Sequence, residues 1–351
     1  MKKRAFLSLL LCLCVCFSLT ACGKKSEKFT EYSFEYFDTV TTVTGYAKNS
    51  EEFAHVCADI FHRLSEYHKL FTIYQRYEGM ENLCTVNELR DGEHRTVEVD
   101  ERIMDMLLFS KEMYEKTDGK VNIAMGSVLS VWHSYREAGA DDPQKAEIPP
   151  MDVLQEASLH TDIGNLILDE ENCTVTITDP KMTLDVGAIA KGYAVEMVAR
   201  SLEERGISGY VLNVGGNIRT VGAKADGTKW TAGIENSFED TKETKPYLTY
   251  LYIADESVVT SGSYQRYYVV DGKNYHHIID PATLMPAEKY RSVSVVCRDS
   301  GLGDALSTAL FCMDIEEGMA FAESIENVEV LWVFEDGREI RTSGFDAYAK
   351  K

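Results

Sequence analysis

The stretch DVGAIAKG, which begins at Asp185, constrains the fold more than any other part of the chain. An apolar run leads into it and a helical pattern follows, so it predicts a tight strand-to-helix connection. Small residues and Gly187 separate the carboxylate of Asp185 from the ammonium of Lys191. Because these residues are small, the backbone can approach a ligand closely while two opposite charges lie beside it. A P-loop is excluded because Tyr193 follows Gly192 where that motif requires lysine. The alternative is a purely structural turn in which glycine allows close packing.

The N-terminal residues 1–21 have the pattern of a bacterial lipoprotein signal. Basic residues precede an apolar run over 5–20, and the sequence LTAC that ends at Cys22 matches a lipobox. Cys22 is then expected to be lipidated, with 22–36 forming a polar tether to a body over 37–351. A transmembrane anchor is the alternative, but the apolar run is short and polar residues follow at once. We therefore expect a chain anchored by lipid to the extracytoplasmic face of the cell membrane.

The acidic balance of the chain limits its partners. The 351 residues include 57 acidic and 36 basic side chains, for a formal net charge of −21. Such a surface repels nucleic acid and anionic lipid headgroups, so attachment to a membrane would have to be covalent. An anionic ligand would need local compensation from a metal ion or a few well-placed cations.

The cysteines indicate neither a zinc site nor a disulfide framework. Five of them lie outside the signal and lipobox, far apart and with no CxxC pair. Most stand in apolar runs, so we expect them to be buried as small hydrophobic residues. The five are Cys57, Cys84, Cys173, Cys297 and Cys312.

The hydrophobic patterns predict an α+β fold with helices packed on a largely antiparallel sheet, in a single two-lobed body. Hairpin turns at 271–272 and 336–337 favour antiparallel pairing. The segment 133–150 is charged and rich in proline, and we expect an exposed excursion there. Helices are predicted over 50–72 (cap Asn49 or Ser50), 100–117 (cap Asp100), 151–159, 190–205, 302–313 and 315–325. Strands are predicted over 37–46, 164–169, 173–178, 182–185, 210–214, 218–221, 230–234, 247–253, 267–270, 275–279, 291–297 and 328–333.

Three polar clusters downstream have the character of a ligand site. The sequence NVGGN from Asn213 predicts backbone laid against a flat ligand or a phosphate, with a tight turn as the alternative. Arg266 lies in a segment too polar for a core and can pair with a phosphate or a carboxylate. His276 and His277 face opposite sides of a predicted strand and cannot chelate one metal, so one is a candidate acid or base and the other a surface residue.

The pair Asp304 and Thr308 points to a metal ion. Four residues apart on a predicted helix, they lie on one face. A carboxylate and a hydroxyl are hard oxygen donors, which suit Mg²⁺ when a backbone carbonyl, waters and ligand phosphates complete its coordination. The alternative is Asp304 as a helix cap, with Thr308 facing solvent.

Five motifs in this order resemble those of the ApbE-type FAD:protein FMN transferases, over nearly the whole mature chain. They are DVGAIAKGYA from Asp185, NVGG from Asn213, TSG from Thr260, HIIDP from His277 and DALST from Asp304. The resemblance implies an ApbE/T-fold-like enzyme that uses Mg²⁺ to transfer the FMN moiety of FAD to a Thr or Ser hydroxyl, forming a phosphoester and releasing AMP. It implies a separate acceptor protein in a membrane or extracytoplasmic electron-transfer system.

The resemblance also implies roles for individual residues. His277 would be the general base, and the carbonyl of Ala188 would join Asp304 and Thr308 around Mg²⁺. The residues that would contact FAD are Phe37, Tyr74, Lys120, Val121, Asn122, Asp185, Lys191, Gly215, Gly216 and Ile278.

The chain departs from the family pattern at three of these or neighbouring positions. Phe37 stands where the family usually has Met, Asn122 replaces the usual Asp, and Ser127 replaces a common Pro. Two other functions would use the same site. An FAD pyrophosphatase would use water in place of the acceptor hydroxyl and give free FMN and AMP, and a non-catalytic lipoprotein would bind FAD without turnover.

Overall fold

The computed structural model describes residues 26–88, 96–238 and 245–349. The predicted signal and Cys22 lie outside these ranges. Within them the chain forms fifteen strands and eight α-helices, and every strand pairing is antiparallel. The predicted α+β class with a largely antiparallel sheet is therefore confirmed.

The elements follow the chain from an N-terminal hairpin to a C-terminal one. The strands are β1 Glu27–Tyr36, β2 Thr39–Ala47, β3 Thr96–Glu98, β4 Leu166–Asp169, β5 Thr174–Ile177, β6 Tyr210–Val214, β7 Asn217–Val221, β8 Trp230–Glu235, β9 Tyr247–Ile253, β10 Ser257–Gly262, β11 Tyr267–Val270, β12 Lys273–His276, β13 Tyr290–Cys297, β14 Glu329–Phe334 and β15 Glu339–Arg341. The helices are α1 Ser50–Phe71, α2 Leu83–Asn87, α3 Glu101–Lys116, α4 Gly126–Asp141, α5 Met151–Ser158, α6 Ala190–Glu204, α7 Ser300–Cys312 and α8 Ile315–Glu323.

An eight-stranded sheet with the order β1-β2-β6-β7-β10-β13-β14-β15 forms the centre of the molecule. Strand β13 is buried on both faces, at Ser292 and Ser294 as well as at its valines. Val293 and Val295 pack with Leu306 of α7 on one side, whereas Val296 packs with Trp230 of β8 on the other. The sheet is thus covered by helices on one face and by the β8–β9 hairpin on the other.

Local signals set the helix ends that the sequence predicts. Asn49 caps α1, its Oδ1 accepting a hydrogen bond of 2.8 Å from the backbone N–H of Glu52. Asp100 caps α3 in the same way, accepting from the N–H of Arg102. The predicted hairpins at 271–272 and 336–337 join β11 to β12 and β14 to β15.

Three predictions of secondary structure are wrong. The expected tether does not reach residue 36, because Glu27–Tyr36 form β1 and pair with β2. Polar and charged residues stand between the aromatic residues of this sheet-edge strand, so the sequence shows no apolar run there. The expected excursion over 133–150 begins instead as the second half of α4, whose Trp132 is buried and donates to the carbonyl of Leu284.

The third wrong prediction is the strand over 182–185. Leu184 is hydrogen-bonded at both its backbone N–H and its carbonyl, by the side-chain amide of Asn87, at 2.7 and 2.8 Å. Because one side chain takes both bonds, a strand ladder does not form there.

The burial of the cysteines agrees with the expectation at all but one position. All five cysteines of the described ranges are free thiols, and four are buried, but Cys173 is half-exposed at a turn. None of the described helices is both long enough and apolar enough to span a bilayer.

Candidate active site

The loop that starts at Asp185 is a tight turn into α6. The Asp185 Oδ1 atom accepts from the N–H of Gly187 at 2.8 Å, and α6 begins at Ala190. At Gly192 a Cβ atom would lie 2.3 Å from the Ser300 carbonyl oxygen and 2.4 Å from the Asp304 Cβ. Only glycine therefore lets the first turn of α6 meet α7 this closely.

The contact between α6 and α7 places the predicted metal-binding pair beside the loop. The Asp304 Oδ2 atom accepts from the Gly192 N–H at 2.7 Å, and the side chain of Asp304 is almost fully buried. Burial raises the pKa of Asp304, opposed by the Lys191 ammonium and the Gly192 N–H. Thr308 lies one helical turn further on, near Ser261, whose hydroxyl is 3.5 Å away.

Lys191 connects the loop to the double-glycine turn between β6 and β7. Its Nζ donates to the carbonyl of Gly215 at 3.1 Å. Burial lowers the pKa of Lys191, opposed by the charge of Asp304. Gly215 has a φ of +54°, and a Cβ there would meet the Thr39 side chain at 2.3 Å. Gly216 closes the turn by donating to Asn213 and does not line the cavity, so it is not brought to the site.

The adjacent histidines have different surroundings. His277 follows β12, and both its backbone N–H and its Nδ1 are 3.2 Å from the carbonyl oxygen of Arg266. An Nδ1–H donor leaves the Nε2 lone pair of His277 free. Burial and then the charge of Arg266 lower the pKa of His277 to about 3, so the imidazole is neutral at physiological pH.

The predicted surface position of the other histidine is wrong. His276 is buried, with its Nε2 2.8 Å from the carbonyl oxygen of Ala287 and its ring against Phe311. Strand β12 ends at His276, short of the predicted end at 279, so the two rings do not alternate across a strand: His276 is buried, and His277 lines the cavity.

These elements enclose a cavity of about 550 Å³, a size typical of small-molecule sites. Apart from Gly216 and Cys22, every residue that the sequence assigns to the site lines it. They are Phe37, Tyr74, Lys120, Val121, Asn122, Asp185, Ala188, Lys191, Gly215, His277, Ile278, Asp304 and Thr308.

Comparison with known proteins assigns this chain to a family. Residues 37–332 match the model of the ApbE family. The chain belongs to the ApbE family. A relative from Klebsiella pneumoniae (strain 342), named FAD:protein FMN transferase, is 32% identical over 280 residues, covering 76% of this chain and 81% of that protein. A relative of the same name from Treponema pallidum (strain Nichols) is 29% identical over 348 residues, covering 95% and 92%.

A solved structure agrees with this assignment. The crystal structure of the ApbE protein of Thermotoga maritima MSB8 matches with a TM-score of 0.78 at 25% identity, over 93% of this chain and all of that one. The predicted family is therefore confirmed.

In this ApbE-family chain, the β1–β2 turn forms one wall of the cavity. Phe37 and Asp38 both have positive φ, as a two-residue hairpin turn of this hand requires. The backbone N–H of Phe37 donates to the Nδ1 of His68 at 3.2 Å, and the two rings meet edge to face. His68 is a site residue that sequence reasoning missed.

The segment 120–122 is held by its own hydrogen bonds. Lys120 lies 3.8 Å from a carboxylate oxygen of Asp280. The Asn122 amide donates to the Thr161 carbonyl and accepts from the N–H of Ala124, both at 2.9 Å. Asn122, which replaces the usual family Asp, therefore uses its polar atoms to shape the loop.

The donor set beside α7 fits a hard cation that has its own anionic ligand. Asp304, Thr308 and Ala188 share the cavity, whereas no cluster of three or more His, Cys, Asp or Glu able to hold a metal occurs in residues 26–88, 96–238 and 245–349. Asn217 is fully buried against Gly192, its side-chain amide helps to lower the pKa of the neighbouring Asp304, and its Oδ1 atom finds no hydrogen-bond partner in the described chain. An unpartnered polar group here is consistent with a bound cation or its water.

Sequence reasoning also missed the contribution of α4. Its side chains Trp132, His133 and Arg136 line the cavity, and the His133 ring lies against Tyr74 at a tilt of 33°, with ring centroids 5.6 Å apart. The apolar spacing of Val128 and Trp132 is a helical signal that could have revealed α4. Asn217 ends the NVGGN cluster, but the sequence predicts no role for its side chain.

Proposed function

We propose that this chain is an FAD:protein FMN transferase that moves the FMN moiety of FAD to a Thr or Ser hydroxyl of a separate acceptor protein. The observation that carries the proposal is the meeting of a neutral His277 with Lys191 and the Asp304–Thr308 pair around one cavity. The names of the relatives in the same family support it.

Asp304, Thr308 and the carbonyl of Ala188 would hold Mg²⁺. The ion, when bound, would neutralise phosphate charge and stabilise the departing AMP. The single buried carboxylate makes the site dependent on substrate phosphates, because the protein supplies too little negative charge to hold the cation alone.

His277 would take the proton of the acceptor hydroxyl at its Nε2 atom. The acceptor oxygen then bonds to the phosphorus of the FMN moiety, and the bond from that phosphorus to the bridging oxygen breaks. The bridging oxygen and its electron pair leave with AMP. The Arg266 carbonyl holds the Nδ1–H, which fixes the tautomer that this step needs.

The remaining lining residues would bind and orient FAD. Lys191 would donate to phosphate or ribityl oxygens, and Ile278 offers a buried apolar surface for the flavin rings. Phe37, Tyr74 and the segment 120–122 occupy the walls of the same cavity. These contacts would hold the FMN phosphorus in line with the hydroxyl.

The setting of the reaction is part of the proposal. The lipobox at Cys22 supports a lipid anchor on the extracytoplasmic face of the membrane. The acceptor would then be a membrane or extracytoplasmic protein of an electron-transfer system, approaching the cavity with its hydroxyl group.

The test is the fate of FAD with and without an acceptor. Purified protein is incubated with FAD and Mg²⁺, and AMP and free FMN are measured by chromatography. The proposal predicts that AMP release depends on a flavin-free acceptor and stops in EDTA. Equal AMP and free FMN without acceptor would indicate a pyrophosphatase, and retained FAD without any AMP would indicate a binding protein.

A further inference from the structure

Two guanidinium groups line the cavity without a carboxylate partner. Within the part of the chain that the structure describes, Arg136, Arg266, Arg298 and Arg338 have no carboxylate oxygen within 4.0 Å, and only Arg136 and Arg266 reach the cavity. Every other described arginine is paired: Arg63, Arg76, Arg102, Arg200, Arg205, Arg219, Arg291 and Arg341. In so acidic a chain, unpaired arginines at one cavity need an explanation.

The charge of the cavity differs in sign from that of the whole chain. Its lining contains four basic and three acidic side chains, whereas the chain carries a net charge of −21. The basic residues are Lys120, Arg136, Lys191 and Arg266, and the acidic ones are Asp38, Asp185 and Asp304. Lys120 and Lys191 already have partners in Asp280 and Gly215. The two arginines and the remaining N–H groups of Lys191 are therefore available to an anion.

Arg266 belongs to the segment that holds the general base. Its backbone carbonyl oxygen is the partner of His277, while its exposed side chain lines the cavity. Its charge lowers the pKa of His277 more than the charge of Arg136 does. Arg266 is thus the guanidinium that acts more strongly on the base.

Arg136 is oriented by its neighbours on α4. Its Nη2 atom is 2.7 Å from the Nδ1 of His133, and the Nε2 of His133 is 3.0 Å from the Glu137 carboxylate. In this chain Arg136 donates to His133, and His133 donates to Glu137. One edge of the Arg136 guanidinium is fixed, which leaves its other N–H groups for a ligand.

We propose that Arg136 and Arg266 clamp the diphosphate of the substrate, Arg266 on the phosphoryl group that is transferred and Arg136 on the phosphate that leaves with AMP. Planar guanidinium groups bind phosphate oxygens through paired hydrogen bonds, which orient the diphosphate as well as neutralise it. This proposal rests on the proposed function, which defines which phosphate is transferred and which one leaves.

Binding of three flavins tests the clamp without any turnover. Riboflavin has no phosphate, FMN has the phosphate assigned to Arg266, and FAD has both. Dissociation constants are measured by flavin fluorescence with Mg²⁺ for the wild type, Arg136→Gln and Arg266→Gln. Arg298→Gln is the control, because it removes an exposed arginine that also lacks a carboxylate partner but lies outside the cavity.

The expected pattern differs between the two arginines. Arg136→Gln should weaken FAD about 10- to 100-fold and leave FMN unchanged, whereas Arg266→Gln should weaken both FAD and FMN by that factor. Both variants should bind riboflavin as tightly as the wild type does. The control variant should bind all three flavins as tightly as the wild type does. Arg266→Lys should restore only part of the loss, because an ammonium lacks the paired geometry.

Two results would overturn the clamp. One is a dissociation constant for FAD that stays within about twofold of the wild type in both variants, since a tenfold loss is the least expected of a charged hydrogen bond. The other is an equal loss for riboflavin, which would make the arginines structural. Failure of FMN transfer by the wild type, with the binding pattern intact, would refute the proposed function and leave the clamp standing.

Discussion

His277 is the proposed general base of the reaction. Its pKa is lowered to about 3 by burial and by Arg266, so the neutral form is present at every pH above that value. Protonation would remove the base only in strong acid. The wild-type kcat/KM should therefore show no inflection near pH 6.5, the ordinary value for histidine.

Replacement of His277 tests the same assignment. His277→Gln should lower the transfer rate by ~10²–10⁴, the range typical of a lost general base, with FAD binding retained. The measurement is the pH profile of both proteins. An inflection near pH 6.5 in the wild type that disappears in His277→Gln would contradict a strongly lowered pKa.

Asp304 makes a separate prediction about the metal. Asp304→Asn keeps the side-chain shape and an oxygen that can accept from Gly192, but removes the charge that would hold Mg²⁺. We expect loss of turnover at all Mg²⁺ concentrations and an unfolding temperature in EDTA no lower than that of the wild type, since a buried carboxylate is itself costly. If Mg²⁺ with FAD still raises the melting temperature of the variant as in the wild type, Asp304 is not a ligand.

Gly192 is required by the contact between α6 and α7. Gly192→Ala would place a Cβ 2.3 Å from the Ser300 carbonyl, and the helices would have to separate. Urea denaturation should show a loss of about 1–3 kcal/mol, typical of overpacking, together with weaker activity. Gly318→Ala in α8 is the matched control, because its nearest neighbour is 3.4 Å away; equal stability of the two variants would refute the close approach.

At the scale of elements, a buried ion pair fixes α6 against β7 and α7. Arg219 of β7 is fully buried and donates to Glu196 at 2.9 Å and to Glu203 at 2.8 Å. Glu196 also accepts from the N–H of Ser300 at the start of α7. The relative position of the two helices that carry Lys191 and Asp304 therefore depends on this pair.

Breaking the pair should cost more than replacing it. Glu196→Leu leaves Arg219 short of a partner and should lower the unfolding free energy by about 3–5 kcal/mol. The double variant Glu196→Leu with Arg219→Met should recover much of that loss. The measurement is chemical denaturation of the wild type, Glu196→Leu and the double variant. A double variant less stable than Glu196→Leu would contradict this account.

How far the sequence predicts the elements depends on how local their signals are. The starts of α1 and α3 follow from Asn49 and Asp100, because a cap and the helix it serves are neighbours in sequence. Residues 182–185 look like a strand, but Asn87 takes the backbone bonds of Leu184 from 97 residues away. Strand β1 likewise depends on its pairing with β2, and no residue of β1 predicts that pairing.

The site shows the same division. Asp185, His277 and Asp304 each lie in a short motif that can be recognised from the sequence alone. They could therefore be predicted as site residues. Arg136 matters through where α4 places it and has no motif around it, whereas Asn217 ends the NVGGN cluster but gains its place at the site from β7. Gly216 belongs to a motif, yet it does not line the cavity.

At the scale of the whole molecule, the cavity is assembled from segments between residues 37 and 308, so almost the entire family-matched region contributes to it. An acidic exterior surrounds a lining in which basic groups outnumber acidic ones. This arrangement favours a phosphate-bearing ligand at one place on a surface that otherwise repels anions.

The most direct test of the central claim is the intact mass of a flavin-free acceptor protein after incubation with this protein, FAD and Mg²⁺. The account predicts a gain of one FMN on a Thr or Ser of the acceptor, with one AMP released for each, and no gain in EDTA or with Asp304→Asn. An acceptor of unchanged mass, while AMP and free FMN accumulate at the same rate with or without it, would contradict the account.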